Sequence, residues 1–138
     1  TDVVRKILIL SREAGYTIEM KDVKVKNFIP DDCFKGDLTE FYEKVTQYDD
    51  EFEEQRLELV RQNRKWRFFA SMENGKAEVG LISVDSSHST FNLEGSNNII
   101  LLTTERYREL PMVIKGYGAG ADVTAAGVFA DIMRVVNV

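Results

Sequence analysis

The sequence has little of several features that would point to particular classes of protein. Its 138 residues include one cysteine, Cys33, so neither an internal disulfide nor a cysteine-based zinc site can form. No apolar run reaches the roughly 18 residues that cross a bilayer. Acidic residues outnumber basic ones by 23 to 18, and the net charge of −5 is a poor match for a nucleic-acid backbone. We therefore expect no metal site, no membrane span, no nucleic-acid partner and a reducing, cytoplasmic location.

What the chain does have is the composition of one globular domain. Hydrophobic residues make up 43% and charged residues 30% of it, and the length is sufficient to bury a core without disulfides. Thr1 and Asp2 predict the cap and first turn of a helix. Because the chain opens directly on this helix, we expect it to be part of a longer protein.

The spacing of apolar residues predicts an α+β fold. The predicted helices span residues 2–14, 37–63 with a break near 48–50, and 122–136. The predicted strands span residues 21–28, 66–71, 77–85, 97–104 and 112–115. Asn74-Gly75 is a strong hairpin signal between the second and third of these strands. We expect a mixed, largely antiparallel sheet covered by helices on one face, with a C-terminal helix.

The most suggestive local pattern is the run Gly116-Tyr117-Gly118-Ala119-Gly120 between a strand and a helix. Glycines let the backbone approach a ligand closely, and the free N–H groups of a helix start favour anions. The run is not GxGxxG, and no βαβ unit follows it. On these residues alone, a tight structural turn and a ligand-binding turn both stay open.

A second pattern is the pair Asp2 and Lys6, four residues apart on one face of the first predicted helix. The simplest interpretation is an exposed ion pair that adds little to stability. A lysine in a desolvated cleft can instead move a proton. We interpret His88 as part of a polar loop, Cys33 as unreactive and Trp66 as sheet core.

Both ends of the chain resemble the homoserine dehydrogenase family. The run 111–131 (PMVIKGYGAGADVTAAGVFAD) resembles the family's closing signature. The run 2–15 (DVVRKILILSREAG) resembles the helix that begins with the family's catalytic aspartate and lysine. Residues 21–30 and 91–98 match more loosely, so the resemblance spans nearly the whole chain. Tyr117 makes the chain look most like the fused aspartokinase–homoserine dehydrogenase type.

The resemblance implies an activity and a set of site residues. The family interconverts aspartate β-semialdehyde and homoserine with NADPH or NADH, in threonine and methionine biosynthesis. Lys6 matches the family's proton-transfer lysine, and Asp2 matches the aspartate one helical turn before it. Gly118 and Gly120 lie in the turn that the resemblance places at the cofactor. The Ser86–Thr90 loop departs from the family's usual pattern, and we assign it no role.

The resemblance also implies a domain organisation. Residues 1–118 would form a substrate-binding, catalytic and dimerisation domain, and residues 119–138 a helix that returns to a nucleotide-binding domain. That domain, and an aspartokinase part before it, would precede this region. We expect a homodimer that is inactive without the nucleotide-binding domain, with the apolar face of residues 119–136 repacked, used in oligomer contacts or poorly ordered. The alternative is a non-catalytic α+β dimerisation or interaction module.

Overall fold

The computed structural model describes residues 2–95 and 97–136. Thr1, the predicted helix cap, and residues 137–138 of the predicted tail lie outside these ranges. The chain divides into two compact units, Thr1–Phe91 and Asn92–Val138. Its α-helices are α1 (Asp2–Glu13), α2 (Leu38–Thr46), α3 (Asp49–Arg61) and α4 (Ala121–Val136). Its strands are β1 (Lys24–Lys26), β2 (Arg64–Glu73), β3 (Lys76–Asp85), β4 (Asn97–Leu102) and β5 (Met112–Tyr117).

A three-stranded sheet organises the first unit, with the strands in the order β1-β3-β2. β1 pairs with β3 in parallel, and β2 pairs with β3 antiparallel along its full length. Asn74 and Gly75 connect β2 and β3 with φ values of 50° and 76°. Both values lie in the left-handed region that a two-residue hairpin turn requires. The predicted hairpin therefore forms at the predicted residues.

Helices α1 and α3 cover the same face of this sheet. α1 buries Leu8 in one apolar cluster with Val79 of β3. α3 places the ring of Phe52 6.4 Å from that of Trp66, and Trp66 lies opposite Ser83 of β3. Because side chains alternate along a strand, Val79 and Ser83 point to the same side. The α+β class with helices on one face of a mixed sheet is confirmed.

The other face of the sheet is partly covered by the loop that follows β3. The Arg67 guanidinium donates hydrogen bonds to the carbonyl oxygens of Thr90 at 2.8 Å and Phe91 at 2.5 Å. His88 contacts Thr90 Oγ1 through its Nδ1 at 2.8 Å and packs edge-on against Phe69. Thr90 is 1% exposed. The loop is polar, as predicted, but it is held against the sheet.

Two differences between the local structure and the expectation lie before α2. The strand predicted over 21–28 is reduced to Lys24–Lys26, because Met20–Asp22 forms a 3₁₀ turn instead. In that turn, Asp22 accepts a hydrogen bond from the backbone N–H of Glu19. The loop predicted over 31–36 contains a 3₁₀ helix, Asp31–Phe34, which buries Cys33.

The second unit contains the antiparallel pair β4–β5 and helix α4. The register places Asn98 opposite Gly116 and Leu102 opposite Met112. All described residues of β5 and α4 are exposed, including large apolar side chains of α4 such as Phe129. α4 is therefore helical while its apolar face remains uncovered. Within residues 2–95 and 97–136, no helix combines the length and apolar character needed to cross a bilayer.

Candidate active site

The first turns of α1 bring Asp2 and Lys6 together on the outward side of the helix. Val4, Ile7, Leu8 and Ser11 are the buried residues of α1, at the spacing of one helical face. Burial of that face directs Asp2 and Lys6 away from the sheet. Asp2 Oδ2 lies 2.9 Å from Lys6 Nζ, and the two side chains are 75% and 58% exposed.

The ion pair perturbs the carboxylate. The hydrogen bond donated by Lys6, followed by the positive charge of Lys6, holds the pKa of Asp2 below its ordinary value. The charge of Arg5 acts in the same direction with a smaller effect. Asp2 is therefore ionised at neutral pH and presents its negative charge to the lysine ammonium.

This arrangement provides a proton donor with a fixed orientation. An ammonium carries three donors, and Asp2 accepts only one of them, so the others can point to a ligand. The outward face of α1 continues from these charges to Ile9, which is 61% exposed. Charged and apolar groups thus lie side by side on a surface that is open to a ligand or to another protein body.

The glycine-rich turn lies in the second unit, between the end of β5 at Tyr117 and the start of α4 at Ala121. Gly120 has φ of +155°, which a residue with a side chain rarely adopts, and its carbonyl oxygen accepts a hydrogen bond from Thr124 N at 2.9 Å. A Cβ added to Gly120 would meet no atom within 4 Å, so the space beside it is open. The first N–H groups of a helix have no partner within the helix and can face a ligand.

These features fit a nicotinamide cofactor in part. Backbone N–H groups at the start of α4 and an uncrowded glycine suit close approach of a polar or anionic ligand. Within the described ranges, no group of three or more His, Cys, Asp or Glu side chains is arranged to hold a metal ion. An open cleft between α3 and the sheet, lined in part by Glu58, Trp66 and Leu81, includes neither Asp2 nor Lys6.

The structure brings the predicted residues together in pairs. Asp2 and Lys6 form their ion pair within the first unit, and Gly118 and Gly120 share one turn within the second. Sequence reasoning did not single out Asn98, which lies beside this turn. The available signal was an asparagine at the start of an otherwise apolar strand, opposite a glycine-rich one.

Comparison with known proteins identifies the family. A family model described as homoserine dehydrogenase matches residues 1–133. This chain belongs to the homoserine dehydrogenase family. The predicted resemblance is therefore confirmed, and with it membership of a family of oxidoreductases that generally depend on a nicotinamide cofactor.

Individual relatives support the same assignment. The chain is 37% identical to a chloroplastic bifunctional aspartokinase/homoserine dehydrogenase 2 of Zea mays, over 99% of this chain and 15% of that protein. It is 38% identical to bifunctional aspartokinase/homoserine dehydrogenase 2 of Escherichia coli, over 99% of this chain and 17% of that protein. The chain thus spans about a sixth of the length of these relatives. A crystal structure of a Candida auris protein described as of unknown function superposes with a TM-score of 0.84 at 34% identity, covering 99% of this chain and 39% of that one.

Proposed function

We propose that this chain is the substrate-binding and catalytic part of a homoserine dehydrogenase. The reaction would be the NADPH- or NADH-dependent interconversion of aspartate β-semialdehyde and homoserine, in threonine and methionine biosynthesis. The observation that carries the proposal is the Asp2–Lys6 ion pair on the open face of α1, in a chain of this family. The relatives from Zea mays and Escherichia coli are named as bifunctional aspartokinase/homoserine dehydrogenases, and the proposal extends that organisation to this protein.

Lys6 is the residue we assign to proton transfer. When bound, the reduced cofactor supplies the hydride that the aldehyde carbon accepts. Lys6 Nζ donates a proton to the carbonyl oxygen as negative charge develops there, and recovers one from solvent, to which its side chain is 58% exposed in this chain. In the reverse direction Lys6 Nζ would accept the hydroxyl proton of homoserine.

Asp2 is assigned to orienting Lys6. Its carboxylate accepts one ammonium hydrogen at 2.9 Å and thereby limits the directions of the other two. Its lowered pKa keeps it acting as an acceptor rather than a donor at neutral pH. Because Asp2 lies next to the ammonium that would contact the substrate, we also assign it a part in orienting the substrate.

Gly118 and Gly120 are assigned to cofactor binding. The open space at Gly120 and the N–H groups at the start of α4 would meet the cofactor through the backbone. The described residues contain no GxGxxG-type βαβ unit, so we propose that turnover requires a nucleotide-binding domain that precedes this region.

The remaining organisation follows the family assignment. Residues 1–118 would be the substrate-binding, catalytic and dimerisation domain, and residues 119–138 would return to the nucleotide-binding domain. The exposed apolar side chains of α4, among them Phe129 and Ile132, support a covering partner for that helix. We propose a homodimer and a cytoplasmic location, while some relatives are named as chloroplastic.

The test joins this chain to a nucleotide-binding domain of the family and measures homoserine-dependent reduction of NADP⁺ and NAD⁺. We expect Lys6→Met to lower kcat by on the order of 10²–10⁴, the size of a lost general acid–base group. Lys21→Met is the matched control, because Lys21 is also exposed but lies in the 3₁₀ turn Met20–Asp22. A kcat for Lys6→Met near that of the control would remove Lys6 from this role.

A non-catalytic dimerisation module is the second candidate. The observation that favours it is β2, a ten-residue strand at the outer edge of its sheet, since such an edge can pair with another chain. The two candidates separate in the same experiment. A dimer without any homoserine-dependent turnover, when the nucleotide-binding domain is present and binds cofactor, would favour the module.

A further inference from the structure

The glycine at position 118 is explained by a side chain from the neighbouring strand. A Cβ built on Gly118 would overlap the side-chain nitrogen of Asn98 and crowd the amide carbon and oxygen behind it. The Asn98 amide therefore lies directly against the α-carbon of Gly118. Gly118 does not have a left-handed φ, so a side chain here would act by displacing the Asn98 amide rather than by straining the backbone.

The strand register accounts for this contact. Asn98 lies opposite Gly116 in the β4–β5 pair. Gly118 follows Gly116 by two residues, directly after the end of β5, and lies within reach of the Asn98 side chain. A Cβ on Gly116 itself would meet no atom within 4 Å.

Gly118 is also the residue at which the chain leaves the sheet. β5 ends at Tyr117, and α4 begins at Ala121. A contact at Gly118 therefore acts on the direction in which the turn 118–120 departs. The contact comes from β4, whose backbone is held by its hydrogen-bonded pairing with β5.

We propose that Asn98 is a positioning residue for the cofactor-binding turn 118–120. Its amide packs on Gly118 and holds the turn 118–120 in the path that presents Gly120 to the nicotinamide cofactor. This inference rests on the proposed function, because that function assigns the turn to the cofactor. Asn98 acts through Gly118, so its loss affects cofactor binding while homoserine binding at Lys6 is spared.

A double-mutant cycle tests this contact in the enzyme that joins this chain to a nucleotide-binding domain. The variants are Asn98→Ala, Gly118→Ala and the combination of both. Gly116→Ala is the matched control, since the same methyl group is added two residues earlier where nothing is within 4 Å. The readouts are the Kd of the reduced cofactor, from its fluorescence, and the KM of homoserine.

We expect Gly118→Ala to weaken cofactor binding by about tenfold or more, because the new methyl group displaces the Asn98 amide, and the control to stay within about twofold. In the Asn98→Ala background the methyl group has space, so the effect of Gly118→Ala should shrink by about 3- to 10-fold, within the range of couplings between residues in contact. Asn98→Ala alone should raise the cofactor Kd with little change in the homoserine KM.

Three results would overturn the inference. One is a cofactor Kd for Asn98→Ala equal to that of the wild type. Another is independent action, in which the effects of the two substitutions simply multiply. The third is an equal rise in the cofactor Kd and the homoserine KM, which would indicate general destabilisation. An enzyme that binds cofactor but does not oxidise homoserine would overturn the proposed function, while the cycle in cofactor Kd would still decide the role of Asn98.

Discussion

The docking of α1 onto the sheet sets the position of Asp2 and Lys6, and Val79 is the side chain through which it can best be perturbed. Val79 is 1% exposed on β3, in the same cluster as Ile7 and Leu8 of α1. Val79→Ala removes two buried carbon groups without introducing a polar atom. The α-carbon remains in a strand, so the backbone hydrogen bonds of the sheet are retained.

The expected loss of stability has two parts. Two buried carbon groups at about 0.8 kcal/mol each amount to about 1.6 kcal/mol of lost transfer free energy. An unrelaxed cavity of roughly 50 Å³, at about 24 cal/mol per Å³, adds about 1.2 kcal/mol. We therefore expect the free energy of unfolding of the first unit to fall by about 1.6–2.8 kcal/mol, depending on how far α1 settles into the space.

The assay is thermal and urea unfolding followed by tryptophan fluorescence. Trp66 is the single tryptophan of the chain and lies in β2, so this signal reports on the first unit. At roughly 4 °C per kcal/mol for a unit of this size, the midpoint should fall by about 6–11 °C. Val25→Ala is the control, because Val25 is also on a strand but is 49% exposed. We expect this variant to lose about 0.8 kcal/mol of the free energy of unfolding. Equal losses for the two variants would refute the packing of α1 on Val79.

Two further predictions concern single side-chain interactions. In a carbon-detected NMR titration, Asp2 should have a pKa below the ordinary value, and Lys6→Met should raise it. Since the pKa of Asp2 is lower in the folded chain, its contribution to stability is present above the unfolded pKa and is lost as the pH falls through the folded pKa. If the pKa of Asp2 were the same in Lys6→Met as in the wild type, Lys6 would not be the cause of the lowered pKa. Arg67→Met should lower the free energy of unfolding by about 1–3 kcal/mol, because the hydrogen bonds to the carbonyl oxygens of Thr90 and Phe91 are lost. The loop would then be held less firmly, so the amide hydrogens of Thr90 and Phe91 should exchange faster. Unchanged exchange there would show that Arg67 does not hold the loop.

Residues that act through near neighbours in the chain were predictable. The α2 start is an example, because Asp37 accepts from the N–H groups of Thr39 and Glu40, all within three residues. Asn74-Gly75 determines its hairpin in the same way, and the spacing of Asp2 and Lys6 alone predicts their contact. The break predicted near residues 48–50 lies close to the observed division between α2 and α3, at residues 47–48.

Some differences arise where packing or a competing local hydrogen bond overrides the pattern. The alternation over 21–28 indicates a strand, yet the Glu19–Asp22 turn leaves only Lys24–Lys26 to pair with β3. The sequence predicts that Cys33 lies in a polar loop, whereas in the structure the 3₁₀ helix Asp31–Phe34 buries its side chain. The local sequence does not determine whether such a segment forms a strand or a turn, because that depends on how it packs against the rest of the protein.

The sequence by itself determined the family, the element types and the two candidate pairs, because periodicity, turn residues and motif spacing are short-range properties. Only the tertiary structure decided which residues far apart in the sequence meet. Arg67 donates a hydrogen bond to the carbonyl oxygen of Thr90, 23 residues further along the chain. Asn98 contacts Gly118 because the register of β4 and β5 brings these two residues close together. Such contacts depend on which strands pair and in what alignment, and no single segment specifies that choice by itself.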